Sequence, residues 1–165
     1  MIRILRRKIG KPVKVIGLIS DTHGLVRPEA LEALRGVDLL IHAGDIGKPE
    51  VLDALKPIAP LHAIKGNNDR GAWAKKFPDA KTISVGGTKL FLIHDVNDLD
   101  FDPSERGGAA VISGHSHKPS VIERDGVLFV NPGSAGPRRF KLPVAVGKLR
   151  FADGNLNAEI IELDV

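Results

Sequence analysis

The chain of 165 residues contains no cysteine and no tyrosine, and has one tryptophan and one methionine. Without cysteine there is no disulfide framework, no thiolate zinc site and no cysteine nucleophile, so any metal must be held by oxygen and imidazole donors. Aromatic residues make up 4% of the chain, too few for a base-stacking platform. No apolar run approaches the roughly 20 residues that a membrane-spanning helix requires. The Gly-x-x-x-x-Gly-Lys-Ser/Thr phosphate loop, the Gly-x-Ser-x-Gly elbow and a Gly-x-Gly-x-x-Gly turn after the first strand are all missing.

What is present describes an ordinary globular chain: 42% apolar residues, 27% charged residues and a net charge of +4. The expectation is one domain over residues 1–165, long enough to bury roughly two-thirds of its unfolded surface in one core. Residues 1–12 read as a basic extension carrying Arg3, Arg6, Arg7, Lys8 and Lys11. The apolar run Val15–Ile19 that follows is shorter than a signal-peptide core and leads directly into Asp21-Thr22-His23. The expectation is a cytoplasmic protein whose basic extension is solvated surface, with neither nucleic acid nor membrane as partner.

Short apolar runs recur along the chain, each closed by Gly, Asn, Asp or His. Val13–Ile19, Val37–Ala43 and Leu61–Lys65 read as parallel strands joined by two short helices, Pro28–Arg35 and Pro49–Lys56. Proline suits the first turn of each helix, and Gly36 and Pro57 stop them. The back half reads as hairpins: Thr82–Val85 with Thr88–Ile93 about Gly86-Gly87, and Val121–Arg124 with Val127–Val130 about Asp125-Gly126. Both central residues of a type I′ turn take positive φ, which these pairs tolerate. A third pair, Val144–Phe151 and Leu156–Leu163, is joined through Ala152–Asn155. The fold class is α/β, with mixed sheets built from a βαβ front and a hairpin-rich back. The strand near Asn155–Val165 could form an edge that pairs with a second subunit.

Five of these strands carry metal-capable side chains at their C-terminal ends. They deliver Asp21 and His23, then Asp45, then Asn67 in Gly66-Asn67-Asn68-Asp69, then His94, then His115 and His117. In open α/β sheets sites form at the carboxyl ends of strands, where such residues converge. A His-x-His or Asp-x-His pair aims both side chains at one place only where the strand has broken into a loop; Gly114 with Pro119, and Gly24, mark such breaks. Gly44 and Gly66 would free the backbone to swing the next side chain inward. Two carboxylates, one amide and four imidazoles exceed one tetrahedral zinc with an open position, whereas two metals sharing a carboxylate would use them all. His42 reads as a core residue able to orient Asp45, and His62 as structural.

The ordered motifs Asp21-Thr22-His23, Gly44-Asp45, Gly66-Asn67-Asn68-Asp69, Gly114-His115-Ser116-His117 and Asn131-Pro132-Gly133-Ser134 resemble those of the calcineurin-like metallophosphoesterases. The likeness runs from about Val13 to the C-terminus and is strongest to the small bacterial and archaeal phosphodiesterases. It implies a four-layer α-β-β-α sandwich, two mixed sheets packed face to face with helices outside. It also implies a two-metal centre, with Asp21, His23, Asp45 and His117 on one ion and Asp45, Asn67, His94 and His115 on the other. Manganese comes first among the expected ions, with nickel, zinc, iron, cobalt and magnesium behind it.

Two departures from the family pattern shape the expected substrate. Larger members have histidine where this chain has Asn68; an amide can bind phosphate but cannot usefully protonate a leaving group, which favours esters with good leaving groups. After His94 the family usually continues with glycine, whereas this chain reads Asp95-Val96-Asn97-Asp98. Carboxylates beside an anion site disfavour phosphomonoesters, so the expected substrate is a small phosphodiester. The competing readings are a catalytically weak protein-binding scaffold on the same fold, and a nuclease drawing on Arg138-Arg139-Phe140-Lys141.

Overall fold

A computed structural model of the chain describes residues 13–152 and 154–165. The basic extension of residues 1–12 and Asp153 of the last turn lie outside the described residues. The first three strands, β1 (Val15–Ile19), β2 (Leu39–His42) and β3 (Leu61–Ala63), are parallel and linked by α1 (Pro28–Ala33) and α2 (Pro49–Leu55). Both helices begin on proline, as the sequence predicts, and each runs one or two residues shorter at its end. The later strands are β4 (Ala80–Val85), β5 (Thr88–Ile93), β6 (Gly108–Ile112), β7 (Ser120–Arg124), β8 (Val127–Asn131), β9 (Ala145–Ala152) and β10 (Asn155–Glu162).

All three expected hairpins form. Gly86 and Gly87 take φ values of 56° and 81°, and Asp125 and Gly126 take 52° and 77°. Those positive φ angles are what a tight turn matching the strand twist demands. The first sheet has the order β10-β9-β1-β2-β3 and the second β4-β5-β6-β8-β7. Each is mixed: β5, β6 and β8 run parallel in the second sheet, while β4 and β7 pair antiparallel at its edges.

The sheets face one another across a core of Ile16, Leu18, Ile41, Leu90, Leu92, Ile112 and Val130. The other face of the first sheet buries Ile19, Leu40 and Val146 against Leu34, Val51, Leu52 and Leu55 beneath the two helices. Because both faces are covered, all four residues of β2 are buried, and its sequence reads as an unbroken apolar run ending on His42. The second sheet is covered more thinly. Among the described residues its outer face carries two 3₁₀ turns, Val96–Asp98 and Pro103–Arg106, over Phe91, Val111 and Val127. No helix among the described residues is long and apolar enough to cross a membrane.

Candidate metal centre

The loops after β1 and β2 continue the parallel pairing of their strands. The backbone N–H groups of Asp21, His23 and Gly24 donate to the carbonyls of Gly44, Asp45 and Ile46 at 3.0, 2.9 and 2.8 Å. Across the second sheet, Gly114 N–H donates to the carbonyl of His94 at 2.9 Å, joining the loops after β5 and β6. Five of the seven expected ligands sit in the left-handed region: Asp21 (φ 53°), His23 (47°), Asp45 (54°), His115 (72°) and His117 (62°). Non-glycine residues there cost about 1–3 kcal/mol each and cluster where function holds them. Here the conformation breaks each strand so that Asp21 and His23 turn to one donor group, while His117 joins that group and His115 the adjoining one.

Two groups of donors result. Asp21, His23 and His117 bring their ligand atoms within 4.8 Å of one another, and so do Asp45, His94 and His115. Within the first group His23 Nε2 lies 3.2 Å from His117 Nε2, and His117 Nε2 lies 3.5 Å from Asp21 Oδ1. Asp45 joins the groups: its Oδ2 is 3.2 Å from His94 Nε2 and 3.7 Å from His23 Nε2. Asn67 is exposed and lines a cleft with Lys65, His94 and His115. Asn68 turns back onto Asp45, donating from its N–H to Oδ1 at 3.0 Å and from Nδ2 to Oδ2 at 3.2 Å. His94, despite the unusual Asp95 after it, is buried at the heart of the second group.

Charge and burial set the state of these groups. Burial raises the pKa of Asp21, against the Ser20 hydroxyl and His94, which hold it down. Burial also pushes Asp45 upward, but the contact with His94, the Asn68 N–H and the charge of His23 outweigh it and hold that carboxyl below its usual range. His94 is pushed down by burial yet raised to about 9 by Asp45, the Ala43 carbonyl and Asp21. His117 falls to about 4 through burial and the nearby positive charge of Arg139.

The donor set fits divalent metal. Asp21 Oδ1, His94 Nε2 and His117 Nδ1 are buried without a hydrogen-bond partner among the described residues, a state that costs roughly 1–3 kcal/mol per group. His94 Nδ1 bonds the Ala43 carbonyl at 2.7 Å, so Nε2 is the ring atom turned toward Asp45 and Asp21, and a divalent ion binding there would displace its proton. Mixed imidazole, carboxylate and amide donors suit manganese, iron, cobalt, nickel or zinc.

Residues outside the expected ligand set hold the loops in place. The Asp69 carboxylate accepts backbone N–H bonds from Gly66 (2.8 Å), Gly47 (2.9 Å) and Ile46 (3.1 Å), tying the loop after β3 to the loop that carries Asp45. Asn131 donates to the Gly114 carbonyl at 2.9 Å, and Ser134 Oγ donates to the Asp21 carbonyl at 2.9 Å. The sequence placed all three in motifs but assigned them no role; their position at or just past a strand end was the available signal. His42 is the buried core residue that the sequence predicts, but its partner is not Asp45. It does not reach the Asp45 carboxylate; its Nδ1 accepts from Gly44 N–H at 3.1 Å and its Nε2 faces Thr22 Oγ1 at 3.0 Å. Thr22 Oγ1 donates to the Ile46 carbonyl, so His42 is the donor to Thr22 and is neutral, with its pKa lowered to about 3 by burial. His62 lies away from the centre against Lys81, as a structural residue should.

Gly66 is a second correction. Gly44 takes φ 101°, as expected, but Gly66 has no positive φ, and its requirement is space: a Cβ there would collide with Asp45. Gly114 is required likewise, because a Cβ would strike Ser20 and Asp21.

Comparison with known proteins agrees with this geometry. The calcineurin-like phosphoesterase superfamily domain matches residues 15–153. A probable metallophosphoesterase of Methanothermobacter thermautotrophicus is 36% identical, over 89% of this chain and 91% of its own. Among solved structures, an archaeal phosphodiesterase superposes with a TM-score of 0.74 at 25% identity, covering 89% of this chain and 99% of that one. Vacuolar protein sorting 29 of Cryptosporidium parvum superposes with a TM-score of 0.72 at 20% identity, covering 93% of this chain and 99% of its own, and shares the fold. With two mixed sheets carrying converging Asp and His loops, and with the domain matched over most of its length, the chain belongs to the calcineurin-like phosphoesterase superfamily.

Proposed function

We propose that this chain is a metal-dependent phosphodiesterase whose site is a two-metal centre. Asp21, His23, Asp45 and His117 hold one ion, and Asp45, Asn67, His94 and His115 hold the other. The observation that carries this reading is the place of Asp45, whose Oδ2 lies within 4 Å of His23 in one donor group and of His94 in the other. When bound, two divalent ions at such a centre polarise phosphoryl oxygens and activate water for in-line displacement.

The chain's own residues define the rest. His94 is oriented by the Ala43 carbonyl, and Asp45 by Asn68, so the shared ligands are fixed before substrate arrives. Asn68 is the catalytic side chain of this reading. One Nδ2 hydrogen serves Asp45, and the other is available to a phosphoryl oxygen, but an amide has no proton to give a leaving group. Asp95 Oδ2 stands 3.6 Å from His115 Nε2 at the edge of the site, where its charge opposes the second negative charge of a monoester. We place the enzyme in the cytoplasm, acting on small phosphodiesters with manganese as the first candidate ion.

Metal-stripped protein, assayed with bis(4-nitrophenyl) phosphate and 4-nitrophenyl phosphate after adding back Mn²⁺, Ni²⁺, Zn²⁺ or Mg²⁺, tests this directly. The expected result is metal-dependent hydrolysis that favours the diester. No turnover with any ion, together with no metal retained by the purified protein, would favour the scaffold reading instead.

A further inference from the structure

The second sheet's thin outer layer leaves a space that the metal centre does not account for. The 3₁₀ turns between β5 and β6 stop short of the β7–β8 hairpin, so Ile122 of β7 remains 51% exposed beside its cross-strand partner Phe129. Between the hairpin and the turns lies a cleft of about 570 Å³, lined on its apolar side by Ile122, Phe129, Phe101 and Leu99. That size lies within the ~300–1,000 Å³ range of small-molecule sites. The lining includes His115, one of the expected ligands.

A second cleft, of about 520 Å³, is lined by Lys65, Asn67, His94 and also His115. His115 and Asp95, with side-chain atoms 3.6 Å apart, line both clefts. A phosphoryl group at the metal centre would therefore have room on two sides. A monoester has one organic arm and a diester has two.

The charges around the larger cleft restrict what enters it. Its lining carries the carboxylates of Asp95, Asp102 and Asp125 against one guanidinium, Arg124, which lies over the Phe129 ring at 5.2 Å from its centroid. Excess negative charge repels an arm bearing a further phosphate or carboxylate. The apolar side chains favour a flat ring, which buries the surface that Ile122 and Phe129 leave open.

We propose that this cleft is the subsite for one ester arm of the substrate, and that the arm is uncharged and ring-bearing, of aryl or nucleoside type. The proposal rests on the phosphodiesterase reading and specifies the kind of diester. Ile122 and Phe129 are its specificity residues, and neither touches the metal ligands' own bonding network.

Zinc-loaded protein with labelled isoleucine methyls, titrated with diphenyl phosphate and with dimethyl phosphate, tests it by a binding readout. Diphenyl phosphate should shift the Ile122 methyl saturably and dimethyl phosphate should not. Ile122→Glu, at an exposed position, should weaken diphenyl phosphate binding roughly tenfold without lowering the melting temperature, while Ile122→Val retains binding. An Ile122 methyl that stays still as diphenyl phosphate binds, or equal affinity for both esters in wild type and Ile122→Glu, overturns the subsite and leaves the phosphodiesterase reading standing. An Ile122 response in a protein that hydrolyses no diester with any metal overturns both the reading and the cleft's role as a substrate subsite.

Discussion

Nε2 of His94 lies 3.2 Å from Oδ2 of Asp45, although the two residues come from different sheets. His94 is clamped from behind by the Ala43 carbonyl, so its Nε2 is directed inward at Asp45. Replacing Asp45 with Asn removes a carboxylate that lies 3.2 Å from His94 in one donor group and 3.7 Å from His23 in the other. Asp45→Asn should lose bound metal by elemental analysis and lower diester hydrolysis at least about a hundredfold, the upper end of what loss of a metal-orienting partner costs. Full metal content with full activity would remove Asp45 from its shared position.

Metal should stabilise the fold. Asp21 and Asp45 face each other's charge across the centre, and three buried polar atoms there have no partner among the described residues. A divalent ion at a hundred times its dissociation constant adds about 2.7 kcal/mol, which for a chain of this size raises the melting temperature by roughly 5–10 °C. Thermal melts with and without chelator check this. An unchanged midpoint would mean that the folded chain binds no ion.

Asp69 should matter for both stability and metal. It is 8% exposed, and its carboxylate satisfies three backbone N–H groups, two of which Asp69→Ala would leave buried and unpaired. The expected loss is about 2–4 kcal/mol in denaturant unfolding, with metal affinity falling about 10–100-fold because the Asp45 loop loses its anchor. Asp69→Asn, which can still accept through its oxygen, should lie between wild type and Ala on both measures.

On the proposed reading, Asn68 should set the leaving-group preference. Wild-type rates should fall steeply as the leaving alcohol becomes more basic, since nothing at position 68 can protonate it. General acids typically contribute about 10²–10⁴-fold where well placed. Asn68→His should therefore raise hydrolysis of an alkyl diester relative to an aryl diester by about tenfold or more, seen as a shallower dependence of rate on leaving-group pKa. An unchanged slope would mean that the proton reaches the leaving group by another route.

His42 should produce an acid arm in the stability curve. Its pKa is about 3 in the folded protein, against an ordinary value of 6.5. Above pH 6.5 both states are neutral and His42 makes no contribution to pH dependence. Between pH 6.5 and 3 the unfolded chain binds a proton that the folded chain refuses, so stability falls as pH falls, by up to about 1.4 kcal/mol per pH unit. Denaturant midpoints measured across this range for wild type and His42→Gln should differ in slope by one proton. Parallel curves would mean that His42 is not kept neutral.

The elements written in neighbouring residues were legible before any coordinates. Gly86-Gly87 and Asp125-Gly126 specify their turns because positive φ is a property of the residue itself, and Pro28 and Pro49 specify helix starts because a proline ring presets the first turn. The convergence of donors at strand ends was legible too, since strand polarity decides which end of a sheet a loop occupies. Other features depend on what packs against what. Gly66 looked like a flexible hinge and proved to be a space requirement, because the atom it must avoid belongs to Asp45, on another loop. The target of His42 and the bonds of Asp69 likewise depend on loops brought alongside by strand pairing. His94 meets Ala43 across 51 residues only because two separately formed sheets stack. The cleft beside Ile122 arises from where the covering turns stop, and no periodicity in β7 or β8 encodes that. Local torsional preference and apolar pattern act through the chain itself, whereas a site between two sheets is set by distances that exist only after the core has closed.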